Sequence, residues 1–97
     1  MHDFKAEMTD RTRNFALPVF RLCKNLHGCY EMEHVGRQLL RSATSVAANF
    51  RAACYAKSTQ DFYAKIKTCE EKADVACFWL EFIAATCKTV HAKKEER

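Results

Sequence analysis

The sequence predicts an all-α protein: an antiparallel, up-and-down bundle of three long helices, with a fourth helix short or absent. Three observations carry this expectation. From Phe62 to Val90 apolar residues recur at spacings of four and three, as Phe62, Ile66, Cys69, Ala73, Ala76, Leu80, Ile83, Cys87 and Val90, with no glycine or proline among them. A stripe with a period of about 3.5 residues, sustained over that length, is the seam of a long helix packed lengthwise on others. Two further segments carry helical apolar stripes and are joined by short connections, which makes sequential helices antiparallel. Two glycines and one proline are also too few for an all-β chain, which turns about every 8–12 residues.

The first helix is expected from about Asp10 to Leu26, with Phe15, Val19, Leu22 and Leu26 on one face. Pro18 interrupts it: proline has no N–H and crowds the carbonyl four residues back, so the helix should kink there or begin at Asn14 as its N-cap. The segment Met1–Thr9 is either a helical extension or disordered. A loop follows over Asn25–Met32, where His27-Gly28 supplies the helix stop.

The second helix is expected from about Glu33 to Ala56, with a core stripe of Val35, Leu39, Leu40, Ala43, Val46, Ala47, Phe50 and Cys54. Its opposite face holds Ser42, Ser45, Ala48, Asn49 and Ala52, and Arg51 is the sole charge between Ser42 and Tyr55. A face meant for water usually carries lysine and glutamate, so this small-residue face is expected to be buried as well. Ser58-Thr59-Gln60-Asp61 approximates a capping box, with Ser58 as N-cap and Asp61 at N3. The third helix then runs from about Thr59 to Val90, before a solvated tail, HAKKEER. Val75, Phe78, Phe82 and Ala85 lie on this helix opposite its seam. One core cannot cover both faces.

At 97 residues the chain is read as one domain, near the lower end of what a single core stabilises. Leu39, Val46, Phe50, Ile66, Leu80 and Ile83 are the expected core. Uncharged runs such as Ser42–Phe50 and Val75–Leu80 fall far below the ~20 residues of a membrane span. The charged N-terminus, MHDFKAEMTDRTR, lacks the apolar stretch of a secretory signal. A cytoplasmic protein is expected. Six cysteines then read as reduced and structural rather than as a disulfide framework. Cys69 and Cys87 fall on the seam, Cys77 beside it, and Cys23 and Cys54 on apolar faces of the other helices. No CxxC pair occurs. Cys23, His27 and Cys29 around the first loop are the nearest metal candidate, and no metal site or cofactor is expected.

Little in the chain carries chemistry. No phosphate-cradling glycine loop, GxSxG or HExxH is present. Glu70, Asp74 and Glu81 share a sector of the third helix and are expected to pair with Arg37 and Arg41 of the second rather than form a carboxylate site. His2, His27, His34 and His91 lie at termini or loop edges and form no cluster. The net charge is +4, and the basic residues Arg11, Arg13, Arg21, Lys24, Arg37, Arg41, Arg51, Lys57, Lys65, Lys67 and Lys72 are spread as on ordinary solvated faces. They become a nucleic-acid signal only if oligomerisation repeats the patch: a ring of about five copies would carry about +20.

The stretch Gly36–Ala53, GRQLLRSATSVAANFRAA, resembles the signature of the bacterial four-helix bundle proteins, a group that includes the intervening-sequence 23S rRNA protein and the accessory variability protein of diversity-generating retroelements. Ser58–Phe62, Glu70–Asp74 with Phe78–Glu81, and Phe15–Leu17 with Phe20–Leu22 agree in register. The similarity spans about Phe15 to Ala85, and RSATSVAAN is its most specific part. The resemblance implies an up-and-down bundle, assembly as a ring-shaped homopentamer, and no catalytic activity. It also implies, from the retroelement members, association with nucleic acid and a reverse transcriptase. The chain departs from the pattern at Pro18 and in stopping at Arg97, where family members continue into a fourth helix. The C-terminal residues then form a stub, or the third helix runs on unbroken.

The leading expectation is a non-enzymatic, homo-oligomeric helical protein that binds RNA or DNA through backbone phosphates. Its expected contacts are Arg11, Arg13, Arg21, Lys24, Lys57, Lys65 and Lys67. Arg41, Ser45 and Asn49, with Glu81 as the partner of Arg41 within the subunit or across an interface, are expected at a helix–helix contact. Val75, Phe78 and Phe82 are expected at the subunit interface. The alternatives are a protein-interaction scaffold whose basic residues only solubilise it, and a small helical enzyme or metal protein.

Overall fold

In a computed structural model the chain forms three helices, α1 (His2–Lys24), α2 (Tyr30–Ala53) and α3 (Thr59–Glu95). The structure describes the backbone of residues 2–95 and the side chains of residues 4–87, and no strand occurs among them. Expectations for the side chains of His2, Val90 and His91 lie outside the described residues.

α1 begins at His2, well before Asp10, so residues 2–9 form a helical extension. Same-helix pairs support that extra length: Glu7 with Arg11 at 3.2 Å and Asp10 with Arg13 at 2.8 Å, each at helical i, i+3 or i+4 spacing. The Phe4 ring also meets Phe50 of α2 edge-on, with centroids 6.5 Å apart. The helix neither starts at Asn14 nor breaks at Pro18. Packing of Val19 and Leu22 into the core holds the turn across the missing N–H. Arg21 and Lys24 in the last turn suit its negative dipole end.

α1 ends two residues short of Leu26, and Gly28 makes the reversal with φ +110°, a conformation open to glycine. α2 then starts at Tyr30 rather than Glu33. Its N-cap, Cys29, is extended and offers no side-chain cap, while Glu31 and Glu33 supply acidic groups to the first turn. α2 stops at Ala53, earlier than Ala56, in a turn closed by Ala56 N–H to the Ala53 carbonyl at 3.1 Å. The α3 start is the one expected. Asp61 N–H donates to Ser58 Oγ at 3.0 Å, and Asp61 Oδ2 accepts the Lys57 N–H at 3.1 Å.

Contacts between helices run in opposite sequence order, so neighbours are antiparallel. Phe4 meets Phe50 whereas Cys23 Sγ donates to the Gly36 carbonyl at 3.3 Å. On the other side, Cys69 Sγ donates to the Val46 carbonyl at 3.6 Å and the rings of His34 and Trp79 are 6.3 Å apart. Val19, Val35, Leu39, Ala43, Ala76 and Ile83 form the buried core, flanked by Phe15, Leu22, Cys23, Leu26, Trp79 and Leu80. Ala43 and Ala76 are fully buried, and such small side chains let α2 and α3 approach closely. Of the expected core, Leu39, Val46, Phe50 and Ile83 are buried, whereas Ile66 and Leu80 are half-buried.

α2 packs against both partners, whereas among the described residues α1 and α3 do not pack on each other. A mainly apolar groove remains between them, lined by Met8, Arg11, Thr12, Phe15, Val46, Ala73 and Cys77. No fourth helix occurs among the described residues: α3 runs on unbroken for 37 residues. At ~1.5 Å per residue that accounts for most of the molecule's 59 Å length.

Candidate functional site

The third helix divides its apolar residues between two faces, as its sequence requires. The seam faces α2 through Cys69, Ala76 and Ile83, all buried, with Phe62, Ile66, Ala73 and Leu80 half-buried. Cys87 falls past the end of α2 and is exposed, as is Cys77, so neither serves as a core residue in the single chain. Opposite the seam, Val75, Phe78 and Phe82 are 42%, 54% and 48% exposed. The two phenylalanine rings pack on each other and on Trp79: Phe78 lies 4.9 Å from Trp79 and 6.2 Å from Phe82, and Trp79 lies 5.9 Å from Phe82. This is an aromatic surface held in place from below by a half-buried tryptophan. Leu17 and Phe20 of α1 are exposed as well, lying off the stripe that the first helix presents to the core.

The small-residue face of α2 is partly covered. Ser42 is buried and donates its hydroxyl to the carbonyls of Gln38 and Leu39 at 3.0 and 2.9 Å. Ser45 and Asn49 are half-buried, and Asn49 Nδ2 donates to the Ser45 carbonyl at 2.8 Å. Ala48 and Ala52 stay exposed, so burial of the whole face is not achieved within one chain.

The expected pairing of Arg37 and Arg41 with Glu70, Asp74 and Glu81 does not form. Among the described residues the ion pairs are Glu7–Arg11, Asp10–Arg13 and Asp61–Lys65. All lie within single helices, because flexible exposed side chains find a partner one turn away more readily than one on a neighbouring helix. Arg41 is instead exposed, and opens on a cavity of about 140 Å³ between α2 and α3 lined by Gln38, Arg41, Ser42, Ser45, Lys72 and Val75.

Three of the seven expected nucleic-acid contacts, Arg11, Arg13 and Lys65, are thus paired with carboxylates. Arg21, Lys24, Lys57 and Lys67 are exposed and make no ion pair among the described residues. The Lys65 ammonium at 2.6 Å, with the Lys57 N–H, holds the Asp61 carboxyl below its ordinary range. Burial pushes the Cys23 and Cys69 thiols up, which suits inert structural thiols rather than nucleophiles or ligands. No group of three His, Cys, Asp or Glu could hold a metal among the described residues, and Cys23, His27 and Cys29 do not converge. Among the described residues no helix is long and apolar enough to cross a membrane.

Gln38 was given no role by sequence reasoning, and Lys72 only a place among the spread basic residues. Their meeting across two helices leaves no mark in linear spacing.

No family model and no curated protein matches the chain. Among solved structures it is similar to a protein of unknown function from the S23 ribosomal protein family of Bacteroides thetaiotaomicron. The two are 32% identical with a TM-score of 0.75, over 84% of this chain and 73% of that one.

Proposed function

The chain belongs to the S23 ribosomal protein family, and from that premise we propose that it is a non-enzymatic protein that assembles with copies of itself and binds RNA or DNA by the backbone. The observation that carries the reading is the apolar surface of Val75, Phe78 and Phe82, about half exposed on the face of α3 opposite its seam. Clustered apolar side chains of this kind mark association surfaces, and aromatic anchors dominate such contacts. The apolar groove between α1 and α3 is a second surface that a neighbouring subunit would cover. A pentamer is the proposed assembly, by resemblance to the four-helix bundle proteins. The finer membership, with the intervening-sequence 23S rRNA and retroelement accessory proteins, belongs to the same proposal. So do a cytoplasmic location and a reverse transcriptase as a further partner. The family's name supports RNA over DNA.

Repeated around an assembly, the +4 charge per chain would make binding electrostatic and steeply salt-dependent. The test is light scattering together with RNA anisotropy at ~50 and ~200 mM salt. A monomer mass at micromolar concentration would refute the assembly, and no binding at the lower salt would refute the nucleic-acid function.

A second reading, a protein-interaction scaffold, is favoured by a specific observation. Arg11, Arg13 and Lys65 already neutralise their own helices' carboxylates, which leaves fewer free cations for phosphate. An assembled particle without RNA affinity is its expected result.

A further inference from the structure

The cavity between α2 and α3 has an unusual lining for an outer face of a small bundle. Arg41 and Lys72 reach it from different helices, and no carboxylate lines it. Neither cation makes an ion pair among the described residues. Glu70, Glu71 and Asp74 of α3 are exposed and do not line it. The remaining polar groups offer donors. Ser45 Oγ and the Gln38 amide make no side-chain hydrogen bond among the described residues, while Ser42 spends its hydroxyl on the backbone behind them. Val75 closes the α3 side with an apolar wall.

A guanidinium presents a planar fork of N–H donors, an ammonium is a compact point charge, and hydroxyl and amide add neutral donors. Convergent donors without an acceptor carboxylate are complementary to an oxyanion with several oxygens. At about 140 Å³ the cavity exceeds the ~30 Å³ share of a water and suits one tetrahedral group. Two cations also exceed what a single carboxylate needs. Both cations are exposed, so their attraction for an anion should weaken as salt rises.

We propose that this notch is a seat for one phosphate group, gripped by Arg41 and Lys72 and oriented by Ser45 and Gln38. Resting on the function proposed above, the group is a backbone phosphate of the bound strand, and the notch fixes the register of that strand on the protein. The basic residues of α1 then contribute a diffuse field, not the principal contact.

The experiment uses the whole chain and a fluorescein-labelled single-stranded RNA, with anisotropy measured over a salt series for Arg41→Gln, Lys72→Gln, Arg41→Lys and Arg37→Gln. Arg37 loses the same charge from α2 but does not line the notch. Circular dichroism melts and light scattering accompany each variant. The expected result is about tenfold weaker binding for Arg41→Gln and for Lys72→Gln, with the log–log salt slope reduced by about one each. Arg41→Lys should recover part of the affinity, and Arg37→Gln should change it less than about twofold. Equal, small losses in all variants would overturn the seat and leave nucleic-acid binding standing.

If the parent chain binds no RNA, the proposed function fails first, and inorganic phosphate then decides the seat. A melting temperature raised by phosphate over chloride at matched ionic strength, and not raised in Arg41→Gln, supports a free-phosphate seat. No rise overturns it. Loss of assembly in Arg41→Gln or Lys72→Gln also overturns it, by identifying the occupant as a carboxylate of a second copy.

Discussion

A Cβ placed on Gly36 of α2 would stand 3.5 Å from the Cβ of Leu26, an ordinary van der Waals separation, although Gly36 is buried. The close approach of chain and helix at this point therefore does not require glycine. A glycine inside a helix costs about 0.5–1 kcal/mol relative to alanine. Gly36→Ala is expected to stabilise the fold by about that amount, read as a higher urea midpoint. Gly28 should behave oppositely. Nothing lies within 4 Å of its would-be Cβ, but its φ is +110°, so Gly28→Ala should destabilise by about 1–2 kcal/mol through backbone strain alone.

Leu39 is fully buried, whereas Leu80, equally prominent in the sequence pattern, is half-buried. Leu39→Ala should cost about 2–5 kcal/mol, the transfer term plus a cavity beside Ala43 and Ala76. Leu80→Ala should cost measurably less. Equal losses in chemical denaturation would mean that Leu80 is covered in solution, as a neighbouring subunit would cover it.

Pro18 sits inside α1 and is itself exposed, so it deprives the Asn14 carbonyl of a donor without filling the core. Restoring that donor with Pro18→Ala should recover up to about 3 kcal/mol. Far-ultraviolet dichroism should show helicity unchanged or increased, with a higher melting temperature. A destabilised variant would show that a bend at Pro18 is needed to seat Phe15 and Leu22.

The cap at the start of α3 should respond to acid. Lys65 and the Lys57 N–H hold the folded-state pKa of Asp61 below its ordinary value, so its contribution is present above the unfolded value of about 4. It is lost as pH falls through the depressed folded value. Asp61→Asn should flatten that part of the stability profile below pH ~4. Ser58→Ala, which removes the acceptor for the Asp61 N–H, should cost about 0.5–2 kcal/mol at neutral pH.

Helix number and the seam of α3 were legible in the sequence, because the spacing of Phe62, Ile66, Cys69, Ala76 and Ile83 is a property of one helix. The Ser58–Asp61 cap was legible for the same reason: both its hydrogen bonds close within four residues. The start of α1 was not. Its first turns look merely polar, and their support comes in part from Phe4 meeting Phe50 far along the chain. Nor was the fate of the charges. Arg41 and Glu81 were natural partners on paper, yet exposed side chains here pair one turn away on their own helix or not at all.

What the sequence determined by itself was periodicity: which segments are helical, which face of each is apolar, and that α3 carries more apolar surface than one core can cover. Those follow from a repeat of 3.6 residues and the chemistry of single side chains. The tertiary structure alone decided which groups from different helices meet. It set α2 between α1 and α3 and left a groove between the outer two. It also turned Arg41 and Lys72 toward one notch. Such meetings depend on the offset and rotation of packed helices, fixed by how Leu39, Ala43 and Ala76 interlock, and no linear spacing encodes them.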